Sequence, residues 1–179
     1  MDRDGTIIHD VGYPRHPAQV KFLPDVHETL SILQGKGYLL IIVSNQSGIG
    51  RGLLTKQEAE SVHKEVVASL ERSHIYLNAV HYCVHAPEEM CGCRKPSPEM
   101  ILNAAKELDI NLGRSFMIGD RENDIRAGKD AGCLTIQLLG DYGTKSCGMA
   151  DYEAHNWQDI LHYILEKRDS ASMGTVGGR

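Results

Sequence analysis

The chain has 179 residues, of which 41% are hydrophobic, and its net charge is -5 with a pI near 6.0. This length is sufficient for one buried core and short for two, so we expect a single domain. The negative charge and the scattered Lys and Arg residues exclude a basic nucleic-acid-binding surface, and no stretch reaches the roughly 20 apolar residues that span a bilayer. We therefore expect a cytoplasmic monomer without membrane or nucleic-acid partners.

Apolar periodicity and capping residues predict helices and strands that alternate along the chain. The predicted elements are a helix over 25–35, a strand over 38–43, a helix over 55–72, a strand over 79–84, a helix over 98–108, a strand over 115–118, a helix over 122–131, a strand over 133–139 and a last helix around 157–164. This alternation predicts an α/β fold with a parallel sheet covered by helices on both faces. We expect residues 1–168 to form the domain and the Gly- and Ser-rich residues 169–179 to be a disordered tail.

Four polar segments occupy the loops around the predicted strands. They are Asp2–Thr6, Ser44–Gln46, Arg94–Pro96 and Gly119–Asp124. Each alone is ordinary loop chemistry, but the carboxyl ends of parallel strands lie on one rim, so we expect the four segments to share a site. The carboxylates at positions 2, 4, 120 and 124 are hard oxygen ligands of the kind that Mg²⁺ prefers. Ser44 and Lys95 are donors suited to a phosphoryl group.

The order of these segments carries a family resemblance. Asp-x-Asp-Gly-Thr, then Ser after an apolar strand, then Lys, then Gly-Asp-x-x-x-Asp resembles the four motifs of the haloacid dehalogenase superfamily, over residues 2–124. The resemblance implies a Rossmann-like sheet, an aspartyl-phosphate intermediate and Mg²⁺. It implies that Asp2 attacks phosphorus and that Asp4 protonates the leaving oxygen and then deprotonates water. Ser44 and Lys95 would hold the phosphoryl oxygens.

The same resemblance implies the metal ligands. Asp120 would bind Mg²⁺ together with Asp2 and the backbone carbonyl of Asp4, and Asp124 would orient the metal shell or Lys95. The gaps between the motifs are filled by the predicted helices and strands, so we expect no large cap domain. The site should then be open to small, flexible metabolites.

A cluster of soft ligands precedes Lys95. Cys83, His85, Cys91 and Cys93 supply three thiolates and one imidazole, which is sufficient for a closed tetrahedral zinc site. Four protein ligands leave no open position, so the zinc would be structural and would fix the loop that ends before Lys95. The alternative is a set of buried free cysteines.

Within the superfamily, the motifs resemble a zinc-bearing branch that contains heptose 1,7-bisphosphate and histidinol phosphatases. Gly12-Tyr13 and the segment from Gln46 to Arg51 are closer to the heptose enzymes, which implies removal of the C7 phosphate from a small sugar bisphosphate. The second phosphate requires a clamp, for which Arg94 is the candidate, helped by Arg51 and Arg121; a solvated rim is the alternative. The expected substrate contacts are Asp10, Val11, Gly12, Tyr13, Ser44, Asn45, Gln46, Ser47, Arg51, Arg94, Lys95 and Arg121.

Two other functions stay open. The substrate could be histidinol phosphate, or the chain could be a zinc-stabilised remnant that binds phosphorylated ligands without turnover. The second alternative arises because superfamily members carry apolar residues before the first Asp, as the central strand, whereas here only Met1 precedes Asp2. A missing central strand would leave neighbouring backbone groups unpaired. We expect an upstream start, because the later motifs are intact.

Overall fold

The computed structural model describes residues 1–140 and 144–173, the last four of these by their backbone. Helices and strands alternate as the sequence predicts. In chain order the elements are α1 (Val26–Gly35), β1 (Ile41–Asn45), α2 (Ser47–Gly50), α3 (Lys56–Arg72), β2 (Ala79–Cys83), α4 (Glu99–Leu108), β3 (Phe116–Gly119), α5 (Glu122–Ala131), β4 (Leu134–Leu138), β5 (Tyr152–Ala154) and α6 (Trp157–Met173). The predicted α/β class with parallel strands flanked by helices is confirmed.

All strand pairs are parallel, and they form two groups. β1 pairs with β2, and β3 pairs with β4, which pairs with β5. Met1 and Asp2 join the groups, since the Val43 amide donates to the Met1 carbonyl at 2.9 Å and the Asp2 amide donates to the Ile118 carbonyl at 2.8 Å. Asp2 therefore lies in the middle of the strand array, between the carboxyl ends of β1 and β3.

Each face of the strand array packs against its own helices. On one face, Ile42 and Ile118 pack with buried residues of α1, α3 and α6, including Trp157. On the other, Val43 and Met117 pack with buried residues of α4 and α5. Neighbouring residues of one strand thus point to opposite layers, as expected for a sheet that is buried on both sides. The Trp157 indole donates to the Thr6 carbonyl at 2.8 Å and so ties α6 to the first polar loop.

A cleft opens beside Met1, between the early parts of β1 and β3. Its volume is about 1030 Å³, and its lining includes Leu40, Ile41, Phe116 and Met117. The buried amino group of Met1 donates to the Ile41 carbonyl at 3.0 Å at the edge of this cleft. Met1 and Asp2 are thus the residues through which the backbone of β1 and that of β3 are connected.

Several element boundaries differ from the predictions. Strand β1 begins at Ile41 instead of residue 38, and it continues through Ser44 and Asn45, because these two polar residues still pair with β2. Residues 47–50 form the short helix α2 where the sequence indicated a loop, and β5 was not predicted.

The segment that is expected to be a disordered tail begins inside a helix. Helix α6 continues through residues 169–173, because the sequence supplies no Gly or Pro stop before Gly174; residues 174–179 lie outside the described residues. None of the described helices is long and apolar enough to cross a bilayer.

Candidate active site

A pocket of about 230 Å³ lies beyond the carboxyl ends of β1 and β3, and all four predicted polar segments reach it or its wall. Its lining residues are Asp2, Asp4, Asp10, Gly12, Tyr13, Ser44, Asn45, Ser47, Arg94, Lys95, Arg121, Asn123 and Asp124. Three predicted contact residues do not line it: Val11 is exposed, Gln46 is buried behind the wall, and Arg51 lies outside the lining. Asn123 lines the pocket and was not predicted.

Lys95 is the central cation of the pocket floor. Its side chain is 2% exposed, and Nζ lies 2.6 Å from an oxygen of Asp2 and 2.6 Å from an oxygen of Asp124. Nζ also donates to the Val43 carbonyl at 2.7 Å. Burial alone would lower the pKa of Lys95, but the two carboxylates outweigh it and raise that pKa, so the ammonium stays charged. Lys95 therefore fixes the Asp2 carboxylate and places a positive charge beside it.

Asn45 holds the backbone of Lys95. Its amide nitrogen donates to the Lys95 carbonyl at 3.0 Å, and its amide oxygen accepts from the Lys95 N–H at 3.0 Å. This side chain lines the pocket, but its amide nitrogen and oxygen both contact the Lys95 backbone, which gives it a positioning role. Its contact with a substrate stays a prediction.

Three carboxylates crowd together under the pocket. Ligand oxygens of Asp2, Asp120 and Asp124 all lie within 4.8 Å of one another, and the three residues are buried. One Asp120 oxygen, Oδ1, is buried with no hydrogen-bond partner among the described residues. Burial and the charges of Asp2 and Asp124 raise the pKa of Asp120 to about 7. Lys95 contacts two of these three carboxylates, so one buried cation faces three acidic groups. A bound divalent cation would neutralise the remaining negative charge, so the residues fit Mg²⁺.

Asp124 has a second task. One oxygen contacts Lys95 and the other accepts from the Arg121 N–H at 3.0 Å at the start of α5. Both oxygens are thus engaged within the protein. Of the two roles expected for Asp124, orienting the metal shell or orienting Lys95, the contact with Lys95 favours the second, which stays a prediction. Gly5 and Gly119 give this cluster room: an added Cβ would lie 2.4 Å from an Asp120 oxygen at Gly5 and 2.2 Å from the Asp124 Cβ at Gly119.

Asp4 lines the other side of the pocket and is held by Arg3. The Arg3 guanidinium donates to both Asp4 oxygens, at 3.1 and 2.8 Å. The Gln46 amide nitrogen donates to Asp4 at 2.8 Å and to the Ser44 hydroxyl oxygen at 3.0 Å. Burial raises the pKa of Asp4, and Arg3 opposes that rise. Ser44 and Asp4 are thereby tied to one another.

The pocket rim is built from loop residues in contact. Asp10 accepts from Arg121 at 2.6 Å, and the Tyr13 hydroxyl accepts from Arg51 at 3.1 Å. These contacts connect the loop after the first motif to α5 and to the turn after α2. Arg94 differs from both arginines, since its Nη1 is buried without a hydrogen-bond partner among the described residues and the residue lines the pocket. Arg94 thus offers an unused donor to a ligand.

The predicted cysteine cluster is assembled at the end of β2. The sulfur of Cys91 lies 3.4 Å from that of Cys83 and 3.6 Å from that of Cys93. The His85 Nδ1 lies 3.6 Å from the Cys83 sulfur and 3.4 Å from the Cys93 sulfur. Thiolates on a tetrahedral zinc, with Zn–S near 2.3 Å, are separated by about 3.8 Å. All four residues therefore face a common centre of the correct size for zinc.

Sequence reasoning missed Arg3, which is 1% exposed and buried behind the site. In a sequence, an Arg between two aspartates is typical of an exposed, solvated residue. The only feature of the sequence that indicates a role for Arg3 is its place inside the Asp-x-Asp motif. Its partners Gln46 and Tyr82 come from distant segments, so the contact set requires the tertiary structure.

Comparisons with known proteins agree with this geometry. A family model described as HAD-hydrolase-like matches residues 92–165. A D-glycero-beta-D-manno-heptose-1,7-bisphosphate 7-phosphatase of Helicobacter pylori strain J99 is 44% identical over 140 residues, covering 78% of this chain and 80% of that protein. A protein of the same name from Vibrio cholerae is 34% identical over 175 residues, covering 92% of this chain and 94% of that protein.

A solved structure gives the same fold. The D,D-heptose 1,7-bisphosphate phosphatase from B. bronchiseptica, complexed with magnesium and phosphate, superposes with a TM-score of 0.84 at 24% identity, covering 93% of this chain and 96% of that one. The identity and coverage of the two relatives place this chain in their family. The chain belongs to the haloacid dehalogenase superfamily, in the branch of the heptose bisphosphate phosphatases.

Proposed function

We propose that this chain is a D-glycero-D-manno-heptose 1,7-bisphosphate 7-phosphatase, which hydrolyses the C7 phosphomonoester and leaves heptose 1-phosphate. The observation that carries the proposal is the pair of neighbouring cations, Arg94 and Lys95, in one small pocket, whose third cation, Arg121, is already paired with Asp10. Lys95 is paired with the nucleophile candidate Asp2, whereas Arg94 keeps a buried donor that has no partner in the described part of the chain. One cation serves the reacting phosphate and the other serves a second phosphate, which a monophosphate substrate would not need. The names of the relatives agree with a bisphosphate substrate.

In the first step, an oxygen of Asp2 forms a bond to phosphorus while the bond from phosphorus to the C7 oxygen breaks. Asp4, across the pocket, gives its proton to that leaving oxygen, so that an alcohol departs. Lys95 and Ser44 donate to the phosphoryl oxygens, on which charge accumulates. In the second step, Asp4 takes a proton from water, the water oxygen bonds to phosphorus, and the carboxylate of Asp2 is released together with inorganic phosphate.

The buried carboxylates would hold the metal. Asp2 and Asp120 would supply oxygens, with the backbone carbonyl of Asp4 as the third protein ligand. Oδ1 of Asp120, which has no hydrogen-bond partner within residues 1–140 and 144–173, favours this set. Bound Mg²⁺ supplies positive charge that offsets the repulsion between the nucleophile and the phosphoryl group. We also propose that zinc fills the Cys83, His85, Cys91 and Cys93 cluster as a structural ion, and that the protein acts as a monomer with all these residues in one domain.

A phosphate-release assay with Mg²⁺ tests the substrate. The full chain is assayed on heptose 1,7-bisphosphate, fructose 1,6-bisphosphate and histidinol phosphate. We expect the highest kcat/KM for the heptose bisphosphate. A higher kcat/KM for histidinol phosphate would reject the assignment, and no turnover of any substrate by the folded protein would favour the non-catalytic alternative.

Arg94→Gln provides a matched variant for the same assay. Loss of a charge-assisted contact to the second phosphate should raise KM for the heptose bisphosphate by about 10- to 100-fold. Turnover of a monophosphate should change little. Arg126→Gln is the control, because Arg126 is 55% exposed and pairs with Glu122 on α5, outside the pocket lining.

A further inference from the structure

Arg3 is a buried cation that the proposed reaction does not use directly. Its side chain is 2% exposed, and it donates from Nε and Nη2 to the two oxygens of Asp4. It does not line the pocket, whereas Asp4 does, with 18% of its side chain exposed. Arg3 therefore contacts Asp4 from behind and leaves the carboxyl group facing the pocket.

Arg3 also sets the orientation of Gln46. Nη2 of Arg3 donates to the Gln46 amide oxygen at 2.9 Å. Because that oxygen faces a cation, the amide nitrogen must face the other way, where it donates to Asp4 and to the Ser44 hydroxyl oxygen. The hydroxyl oxygen of Ser44 thus accepts a hydrogen bond from within the protein, and its own proton is free for a phosphoryl oxygen.

The guanidinium itself is held in place from its far side. Its central carbon lies 5.8 Å from the centre of the Tyr82 ring, a cation–π contact. The Tyr82 hydroxyl is hydrogen-bonded to Nδ1 of His63 on α3. The contacts run from α3 through β2 to the first catalytic loop, so the position of the Asp4 carboxyl group is determined by the packed core and not by the loop alone.

We propose that Arg3 and Gln46 are positioning residues that aim the carboxyl group of Asp4 at the leaving oxygen. The inference rests on the proposed function, in which Asp4 is the general acid. A lysine at position 3 would retain the positive charge but would lose the planar fork that engages both oxygens. A misplaced acid slows only those reactions whose leaving group needs a proton.

The test compares two substrates with the same reacting group. Heptose 1,7-bisphosphate releases an alkoxide-like oxygen that requires a proton, whereas p-nitrophenyl phosphate releases a phenolate that is stable without one. The readout is the ratio of kcat/KM for the heptose bisphosphate to kcat/KM for p-nitrophenyl phosphate. Effects on phosphoryl binding act on both substrates and cancel in this ratio. Because kcat/KM reports steps up to loss of the leaving group, the later use of Asp4 as a base does not enter.

We expect Arg3→Lys to lower the ratio by about 10- to 100-fold, as displacement of a catalytic group by about 1 Å does. Gln46→Met should lower it by about 3-fold or more, since one hydrogen bond to Asp4 is lost. Arg126→Gln is the control, because Arg126 pairs with Glu122 outside the pocket lining, so both kcat/KM values and their ratio should be unchanged. Asp4→Asn is the benchmark and should lower the ratio most.

An unchanged ratio in Arg3→Lys would overturn the inference, since loss of activity on both substrates alike indicates a structural role only. If Arg3→Lys does not fold, Gln46→Met decides, and an unchanged ratio there would overturn it equally. A lowered ratio in Asp4→Asn with unchanged ratios in both other variants would overturn the positioning role and leave the proposed function standing. An unchanged ratio in Asp4→Asn would contradict the acid role itself and, with it, the inference.

Discussion

The chemistry of the site depends on a few side chains whose charges oppose one another. Lys95 lies between the carboxylates of Asp2 and Asp124, and Arg3 lies against Asp4. Asp2 thus shares its buried cation with Asp124, whereas Asp4 has a cation of its own and a pKa that burial raises in spite of it. In the proposed mechanism Asp2 attacks phosphorus as a carboxylate while Asp4 exchanges a proton.

Asp2→Asn tests the nucleophile. An amide cannot form the aspartyl-phosphate intermediate, so we expect kcat to fall by at least about 1000-fold. The fold should persist because Lys95 retains its contact with Asp124. Melting temperature and circular dichroism check the fold, and phosphate release checks the rate. Activity within 10-fold of the wild type, in a protein free of wild-type contamination, would exclude Asp2 as the nucleophile.

At the residue scale, the order of the polar motifs along the chain was sufficient to predict which side chains meet in one pocket. The structure brings Asp2, Ser44, Lys95 and Asp124 to one pocket, as expected. The sequence was less informative about polar residues whose partners are other groups of the protein. The amide of Asn45 holds the Lys95 backbone, and no spacing rule distinguishes that contact from a contact to a sugar.

The elements explain how distant segments meet with such accuracy. Strands β1 and β3 flank Asp2. Ser44 lies near the carboxyl end of β1, and Asp120 directly follows β3. Helix α5 begins at Glu122, two residues after Asp120, and Asp124 in its first turn accepts a hydrogen bond from the Arg121 N–H. The alternation of apolar strands with capped helices was sufficient to predict this arrangement. The exact ends of the strands could not be predicted in this way. A polar residue such as Ser44 can still pair with the neighbouring strand, and hydrophobicity does not reveal that pairing.

The zinc loop gives a prediction at the scale of an element. We expect one zinc ion per chain, and Cys91→Ser should lose it, with a fall in melting temperature of several degrees because the loop before Lys95 loses its cross-link. Cys147→Ser is the matched control, since Cys147 is also a free, half-buried cysteine but lies outside the cluster. Elemental analysis and thermal unfolding measure both effects. Purified wild-type protein without zinc, or equal losses in both variants, would contradict the prediction.

Across the whole molecule, stability and function meet in the carboxylate cluster. Burial, Asp2 and Asp124 raise the pKa of Asp120 to about 7 from 3.8. Between these two values the folded protein binds more protons at this position than the unfolded chain, so the stability of the metal-free protein falls as pH rises through this window. Above pH 7 the destabilisation is complete. The metal-free protein thus retains electrostatic repulsion between the carboxylates of Asp2, Asp120 and Asp124, which a bound cation would relieve. Such a loss of stability is expected where a site is optimised for binding.

Asp120→Asn should therefore stabilise the protein in Mg²⁺-free buffer, and more strongly at pH 8 than at pH 5, because only the wild type carries the extra charge at pH 8. Thermal unfolding of both proteins at both pH values measures the difference between their melting temperatures, which cancels contributions from other titrating groups. Mg²⁺ should raise the melting temperature of the wild type and have little effect on the variant. Equal differences at pH 5 and pH 8 would show that Asp120 does not titrate in this range.

The contacts of Met1 and the cleft beside it could not be predicted from the sequence pattern. A single residue carries no periodicity, yet Met1 is buried and bonds to both Ile41 and Val43. The cleft of about 1030 Å³ beside it depends on where two strands lie relative to each other. Local sequence signals do not encode that distance.

The central claim is that the chain removes one particular phosphate from a heptose bisphosphate. Phosphorus NMR of the reaction with heptose 1,7-bisphosphate and Mg²⁺ tests it most directly, because the two phosphates have separate resonances. We predict that the C7 resonance is replaced by inorganic phosphate while the C1 resonance persists. Loss of the C1 resonance first, or no change with folded, metal-loaded protein, would contradict the account.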